Sequence, residues 1–413
     1  MGDGRSLDSE PSLLLKNLSH AEAATARDDE SAAYSILIHL HHEKERCIAM
    51  NTIGDQIKLT IYGESHGTSI GAVLDGIPAG ISIDWDEVRR EMERRAPGRN
   101  TLSTDRKEKD AFEIQSGYFH DHTTGTPLCM MIRNGDQHSK DYDQLRHIMR
   151  PGHADYAGHV RYDGYNDYRG GGHFSGRLTA PLVFVGAIAK QVLKSRGITV
   201  GSHIQRIAGI EDRRFSPLGE SAERLEQLTH ELLPLLDPSK AEAMKLAVRD
   251  ARSAKDSVGG IIEVMAVGLP AGLGDPMFDS VESQLAHMLF SVPAVKGVEF
   301  GDGFALAAMR GSEANDAMQY ESGKVKTLTN HNGGLTGGIT NGAPLLCRLV
   351  IKPTASIARA QRTVDLDTGK DAELSITGRH DPCIIQRAVP VVEAAVAWTL
   401  LDILLQSEAY RLK

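Results

Sequence analysis

The chain has 413 residues, 41% of them hydrophobic and 24% charged, with a formal net charge of −9. That is enough apolar material for a sizeable core, in one large α+β domain or in two or three smaller ones. The acidic balance argues against general nucleic-acid binding, which needs a broad positive field, but leaves room for a local anion site where basic residues cluster.

Residues 1–49 mix Ser, Ala, Glu, Asp and His with little periodicity. No continuous apolar stretch marks a secretory signal, and Asp3, Asp8, Glu10 and Glu22 do not suit an organelle transit peptide. Met1-Gly2 with Ser6 fits a myristoylation pattern formally, but the pattern is short enough to occur by chance. Met50 opens a sequence that begins like a complete enzyme. Residues 1–49 therefore read as a disordered extension or as the product of a misplaced start, and 50–413 as a single catalytic domain.

Gln56 to Tyr62 alternates as a strand and runs into Gly63. Asp84 is placed to cap a helix over 85–95, stopped by Ala96-Pro97-Gly98. Residues 180–195 are apolar on most faces and predict a helix with Gly197 at its C-terminal cap. Residues 217–236 and 238–255 predict two amphipathic surface helices. Residues 260–267 predict a strand. Asp275-Pro276 reads as an N-cap followed by Pro at the first helical position, opening a helix that ends near Ser291. Residues 345–351 alternate as a strand, and 389–405 predict the last long helix. That helix is the nearest approach to a membrane span, but Glu393 and Asp402 interrupt it and it reads as buried core. Strands and helices alternate irregularly and without internal repeat, which favours α+β over a regular βαβ series.

The 41 glycines suit sharp turns and close approach to a ligand. None of them builds a G-x-x-x-x-G-K-[ST] loop or a G-x-G-x-x-G turn, which argues against ATP and a Rossmann-bound NAD. Cys47, Cys129, Cys347 and Cys383 lack paired metal spacing and read as free thiols in a reducing compartment, with no metal site.

Gly63-Glu64-Ser65-His66-Gly67 satisfies the G-x-S-x-G pattern of a hydrolase nucleophile elbow. That elbow needs a helix directly after the serine, whereas Thr68 to Pro78 is glycine-broken and strand-like. A serine hydrolase is thus the rival reading, and His66 reads better as an acid or hydrogen-bond donor on a tight loop, or as part of a satisfied turn. Basic residues crowd 89–109. Arg89 and Arg90 suit a solvated helix face, while Arg94, Arg95 and Arg99 flank a stiff Pro-Gly turn that directs their guanidiniums. A planar guanidinium binds carboxylate or phosphate through two hydrogen bonds. Arg150-Pro151-Gly152-His153-Ala154-Asp155 repeats the design, with His153 either structural or placed to stabilise an anion. Arg169 and Arg177 flank Gly170-Gly171-Gly172, a loop whose N–H groups can cradle an anion or which is simply flexible. Asn330-His331-Asn332-Gly333-Gly334 precedes the 345–351 strand, which ends in Lys352-Pro353-Thr354-Ala355-Ser356. Asp381, in Gly378-Arg379-His380-Asp381-Pro382, is a candidate general base, with an N-cap or plain salt bridge as the alternative.

In this order and at these spacings, the segments GESHG, RRAPG, RPGHAD, RGGG, Gly274-Asp275-Pro276, VKGVEFG, NHNGG, KPT and GRHDP resemble the chorismate synthase family. The resemblance runs from about Asn51 to about Leu405. It implies a β-α-β sandwich with helices enclosed between outer sheets, a cytoplasmic homotetramer, and no nucleic-acid or membrane partner. It implies a lyase of the shikimate pathway: reduced FMN supports the 1,4-anti elimination of phosphate from 5-enolpyruvylshikimate 3-phosphate to give chorismate. NADPH used by the chain and an external reductant both stay open as the source of reduced flavin. By the same resemblance, His66 protonates the departing phosphate and His153 stabilises the anionic reduced flavin. Asp381, with Ser65 as relay, assists proton removal at the flavin N5. Arg95, His173, Phe174, Ser175, Pro293, Ala294, Gly337, Arg379 and the run Lys352, Pro353, Thr354, Ala355, Ser356 fall at cofactor positions. Arg99, Arg150, Arg177, Lys352 and Arg379 fall at substrate positions. The chain departs from the family pattern where Thr101 replaces a frequent arginine, with Arg99 nearby as the substitute. It departs again at His173-Phe174, where Arg-Ser is frequent, and at Pro293, where Asn is frequent. A third class is a binding protein for phosphorylated metabolites without turnover, and phosphate release from the shikimate substrate under anaerobic reduced FMN discriminates the three readings.

Overall fold

Apolar, β-branched runs on either side of the central helical segment pair into two separate sheets. The computed structural model describes residues 51–98, 110–135, 145–376 and 381–410. The first sheet contains β1 (Thr52–Ile53), β2 (Lys58–Gly63), β3 (Ser69–Asp75), β4 (Phe112–Ser116) and β5 (Leu128–Arg133), in the order β1-β2-β3-β5-β4. The second contains β6 (Thr199–Ile207), β7 (Ile210–Glu211), β8 (Gly260–Val267), β9 (Val295–Phe300) and β10 (Leu345–Ile351), in the order β9-β10-β8-β6-β7. All these pairings are antiparallel. On β5, Leu128, Met130 and Ile132 are buried while the residues between them are not, the two-residue period of a strand with one face on a core.

The core lies between the sheets and is filled by helices. The helices are α1 (Trp85–Arg95), α2 (Asp155–Arg161), α3 (Thr179–Ser195), α4 (Ala222–Thr229), α5 (Ala241–Ser253), α6 (Val281–Ser291) and α7 (Ile385–Tyr410), of which α1, α3, α6 and α7 supply most of that core, while α4 packs against Met265 and Leu346 in a separate cluster. Helix α3 packs along α7 and touches β3 and β5, while α7 touches β6 and β8. The sandwich is therefore β-α-β, as the resemblance implied. At the crossing, a Cβ on Gly186 of α3 would fall 2.2 Å from the Ala394 Cβ of α7, so the helices meet almost backbone to backbone.

The strands at Gly260–Val267 and Leu345–Ile351 and the helix Trp85–Arg95 fall where the sequence predicted them. Asp84 caps α1 by accepting from the N–H groups of Asp86 at 2.9 Å and Glu87 at 3.1 Å. Three expectations are corrected. The predicted helix over 217–236 shrinks to Ala222–Thr229, because Pro234 cannot continue it and the chain turns to bond strand β6 and Asp212 instead. The helix expected from Asp275-Pro276 starts only at Val281, capped by Ser280, because Met277 takes a left-handed φ of 66° that breaks helical geometry. Finally, two segments, Gly176–Ser195 and Ile385–Tyr410, do have the length and apolar composition of a membrane span. Of their most apolar windows, 72% and 94% are buried inside the protein, so that apolarity serves the layer between the sheets.

Candidate active site

Strand β2 ends at Gly63, and the next five residues turn the chain back into β3, with Gly67 N–H bonded to Glu64 O at 3.0 Å. This is a hairpin, so the helix that a nucleophile elbow requires is absent after Ser65. The turn is pinned to the glycine-rich segment Arg169–Phe174. Ser65 N–H donates to Gly172 O at 3.1 Å and Ser65 Oγ to Arg169 O at 3.1 Å. Gly170, Gly171 and Gly172 all hold positive φ, which bends this segment tightly enough to enter the gap between two loops. A Cβ on Gly170 would lie 2.3 Å from His66 Cδ2 and 2.7 Å from Ser65 Oγ. A Cβ on Gly171 would lie 3.3 Å from His153 Cε1 and 3.7 Å from Arg150 Nη2. The two imidazoles thus flank successive glycines, although they stand far apart in sequence.

His153 precedes α2, and its Nδ1 lies 2.7 Å from Asp155 Oδ1. Asp155 also takes two bonds from the Arg150 guanidinium, both 2.7 Å. Burial opposes the charged form of Asp155. The hydrogen bonds from Arg150 and His153 outweigh it and hold the carboxyl well below the usual carboxylate range. Arg150 Nη1 reaches Ser356 Oγ at 3.2 Å, which joins this loop to the segment after β10. There Lys352 Nζ stands 3.6 Å from where a Gly152 side chain would begin, with the Ala355 methyl 3.9 Å from the same point. Burial, and then the nearby charge of Lys296, push the Lys352 ammonium below its ordinary pKa. Thr354 Oγ1 is buried without a hydrogen-bond partner among the described residues. Lys352 N–H donates to the carbonyl of Ala294, which holds a positive φ after Pro293.

The remaining predicted residues brace these loops. His173 Nδ1 donates to Gly63 O at 2.8 Å, and its Nε2 lies 3.1 Å from Asn51 Oδ1. Phe174 packs over Gly158 of α2, and Ser175 caps the N–H of Arg177. Gly337 tops the hairpin Leu335–Thr340 with open space beside it, in a part of the chain that the contacts above do not reach.

The arginines differ most from expectation. The Arg95 side chain is 2% exposed, Arg150 4% and Arg177 10%. Arg95 gives Nε and Nη2 to Asp110 at 3.0 and 2.6 Å, and Arg177 gives Nη1 to the other oxygen of Asp110 at 2.5 Å. A guanidinium this buried must be paired, and Asp110 and Asp155 are the internal partners. Burial disfavours the Asp110 carboxylate, and the two guanidiniums more than offset this, holding its pKa low. Arg95 therefore braces the site through Asp110. Arg177 Nε bonds Asn134 Oδ1, and Asn134 Nδ2 bonds the carbonyls of Glu64 and Gly67 in the His66 turn. Asp381 joins this assembly through Arg387, whose Nη1 meets Asp381 Oδ2 and whose Nε donates to Arg95 O at 3.0 Å. Arg99, Thr101 and Arg379 lie outside the described residues. Sequence reasoning missed Asp110, Asn134 and Arg387. A single acid closing a basic run was the one available signal, and only for Asp110.

Arranged this way, the loops bring two imidazoles to one glycine turn, one of them beside a buried carboxylate, with a partly desolvated ammonium next to the Gly152 loop. That set suits elimination of an anionic leaving group. The sequence matches the chorismate synthase family over residues 57–405. It is 47% identical over 352 residues to chorismate synthase of Methanocella arvoryzae, covering 85% of this chain and 93% of that one. It is 47% identical over 357 residues to the enzyme of Thermococcus gammatolerans, covering 86% and 98%. A solved crystal structure of a chorismate synthase superposes with a TM-score of 0.68 at 29% identity, covering 86% of this chain and 93% of that one. With the match spanning both sheets, the helical layer and the loops around His66 and His153, the chain belongs to the chorismate synthase family.

Proposed function

We propose that the cluster around Gly170 and Gly171 is where this chain carries out the family's reaction. In that reaction, 5-enolpyruvylshikimate 3-phosphate loses phosphate and a ring proton to give chorismate. The observation that carries the assignment is the pair of imidazoles, His66 and His153, flanking successive glycines. His66 is the acid: it delivers a proton to the phosphate oxygen as the carbon–oxygen bond breaks. Asp381 is the carboxylate that would assist proton removal at the flavin N5, with the Ser65 hydroxyl as relay. His153, backed by Asp155, stands beside the negative charge that develops in the pocket and stabilises it.

The family requires a flavin, and we assign reduced FMN. Lys352 and Thr354 fit it: the ammonium, partly desolvated, has a long 3.5 Å contact to the Pro353 carbonyl, and the buried Thr354 hydroxyl lacks a partner among the described residues, as an anionic, hydrogen-bonding group would require. When bound, FMN supplies electron density to the substrate while the phosphate departs. Lys352 and Thr354 would hold its polar end, and His173 and Phe174 would wall it. Whether NADPH or an external reductant keeps it reduced is decided by assaying with and without NADPH. We assign the active form as a cytoplasmic homotetramer. Free thiols at Cys129, Cys347 and Cys383 suit a reducing compartment, and the exposed apolar side chains of Met277, Phe278 and Phe304 suit self-association.

The test is phosphate release from 5-enolpyruvylshikimate 3-phosphate under anaerobic conditions with reduced FMN. The wild-type chain should turn over. His66→Ala and His153→Ala should each lose about 10²–10⁴-fold in kcat, the usual contribution of a positioned acid or base, with unchanged melting temperature. Full activity in both variants would remove the histidines from the mechanism. Covalent labelling of Ser65 by a fluorophosphonate would revive the hydrolase reading.

A further inference from the structure

We propose that Arg387 is a positioning residue for Asp381, clamping that carboxylate to the end of helix α1 and so fixing it relative to His66. The proposal rests on the assignment of Asp381 as proton acceptor. Arg387 sits in the first turn of α7, where the helix dipole favours acids and disfavours a cation. Its contacts account for the placement. Nη1 meets Asp381 Oδ2, while Nε donates at 3.0 Å to the carbonyl of Arg95. Arg95 closes α1, so its carbonyl has no acceptor role within its own helix and takes the bond from outside. One planar fork therefore joins the acid to a fixed helix end. The Asp381 side chain is 6% exposed, so it is held inside the protein matrix.

The clamp continues on the other side of Arg95. The Arg95 guanidinium grips Asp110, Asp110 grips Arg177, Arg177 bonds Asn134, and Asn134 bonds both carbonyls of the turn that carries His66. An uninterrupted run of polar contacts thus sets the spacing between the proposed proton acceptor and the proposed proton donor. None of its intermediate side chains has to touch substrate.

The experiment is a double-mutant cycle on the full chain with reduced FMN under anaerobic conditions, combining Arg387→Met with Asp381→Asn. Arg387→Met should lower kcat about 10–100-fold, the cost of misplacing a reacting group by about 1 Å. The KM for 5-enolpyruvylshikimate 3-phosphate and the Kd for oxidised FMN, read by fluorescence quenching, should change less than about 3-fold. Arg387→Lys should recover part of the loss, because a point-like ammonium can serve Asp381 or the Arg95 carbonyl but not both. The double variant should be no slower than Asp381→Asn alone, since Arg387 acts through Asp381. Wild-type kcat in Arg387→Met, or losses that multiply in the double variant, would overturn the proposal. If Arg387→Met fails to fold, Arg387→Lys takes its place in the cycle with the same two criteria. Wild-type turnover in Asp381→Asn is a different outcome: it removes the proton-acceptor assignment and the clamp with it.

Discussion

A single methyl group at Gly170 would have to displace His66 or Ser65. The nearest ring carbon is 2.3 Å and the hydroxyl 2.7 Å from where that methyl would stand, and the backbone φ of 58° is one that alanine adopts only under strain. The ring is the part that moves, because the backbone of its turn is pinned by Ser65 N–H and by Asn134. Gly170→Ala should therefore cost about 100-fold in kcat through misplacement of the acid, while stability falls by only about 1 kcal/mol from backbone strain. Steady-state kinetics beside a melting curve separates the two, and unchanged kcat would show that the ring does not need its present position. Residue identity at this scale was largely legible in the sequence. Ser65, His66, His153 and Lys352 announce themselves by type and by their stiff Gly and Pro neighbours. Their partners do not, because Asp110, Asn134 and Arg387 carry no motif and gain meaning only from a fold that brings distant loops together. Spacing likewise shows the guanidiniums of Arg95, Arg150 and Arg177, but not the carboxylates of Asp110 and Asp155 that they also hold.

Helices α3 and α7 are fitted to each other at Gly186, and the fit is steric. A Cβ there would sit 2.2 Å from the Ala394 Cβ and 2.3 Å from its Cα, inside van der Waals contact with backbone that cannot swing aside. Gly186→Ala gains helix propensity of about 1 kcal/mol, but overpacking a close-packed core costs about 1–3 kcal/mol or more. Two helices that also touch both sheets cannot part without opening those contacts, so the net effect should be destabilising by at least about 1 kcal/mol. Denaturant unfolding of the variant measures it, and a stabilised variant would mean that the helices separate freely. Elements defined by local physics were the readable ones. Asp84 as a cap, the alternation in β8 and β10 and the apolar run of α3 need no knowledge of the rest of the chain. Elements decided by tertiary bonds were not: α4 stops short because Leu236 N–H and Pro234 O are wanted by Asp212 and Ile204. α6 starts late because Met277 turns left-handed, a choice no propensity favours.

Across the whole molecule, the helical layer is joined to the second sheet by a carboxylate within the helices. Glu393 of α7 is fully buried. It accepts from Arg94 of α1 at 2.7 and 3.1 Å, from Lys190 of α3 at 2.7 Å and from Ser202 of β6 at 2.8 Å, while Glu91 shares both cations. Burial alone would raise the pKa of Glu393. The charges of Arg94 and Lys190 overcome it and bring the pKa down to about 2 from an ordinary value of 4.5. A carboxyl depressed in the folded state contributes stability that is complete above its unfolded value and vanishes as pH falls through its folded value. The window is therefore from about pH 4.5 down to about pH 2, and the amount on the order of 3 kcal/mol. Glu393→Gln keeps the shape but leaves two buried cations sharing Glu91 alone, which should destabilise the protein by about 3–5 kcal/mol at neutral pH. It should also flatten the acid limb, because the group that titrates there is gone. Melting temperatures of wild type and variant from pH 7 down to pH 2 decide the matter. Parallel curves would show that other carboxylates control acid unfolding and that the junction between the layers is held by packing. Converging curves would show that this one side chain links the titration of the core to the junction of the helical layer with the second sheet.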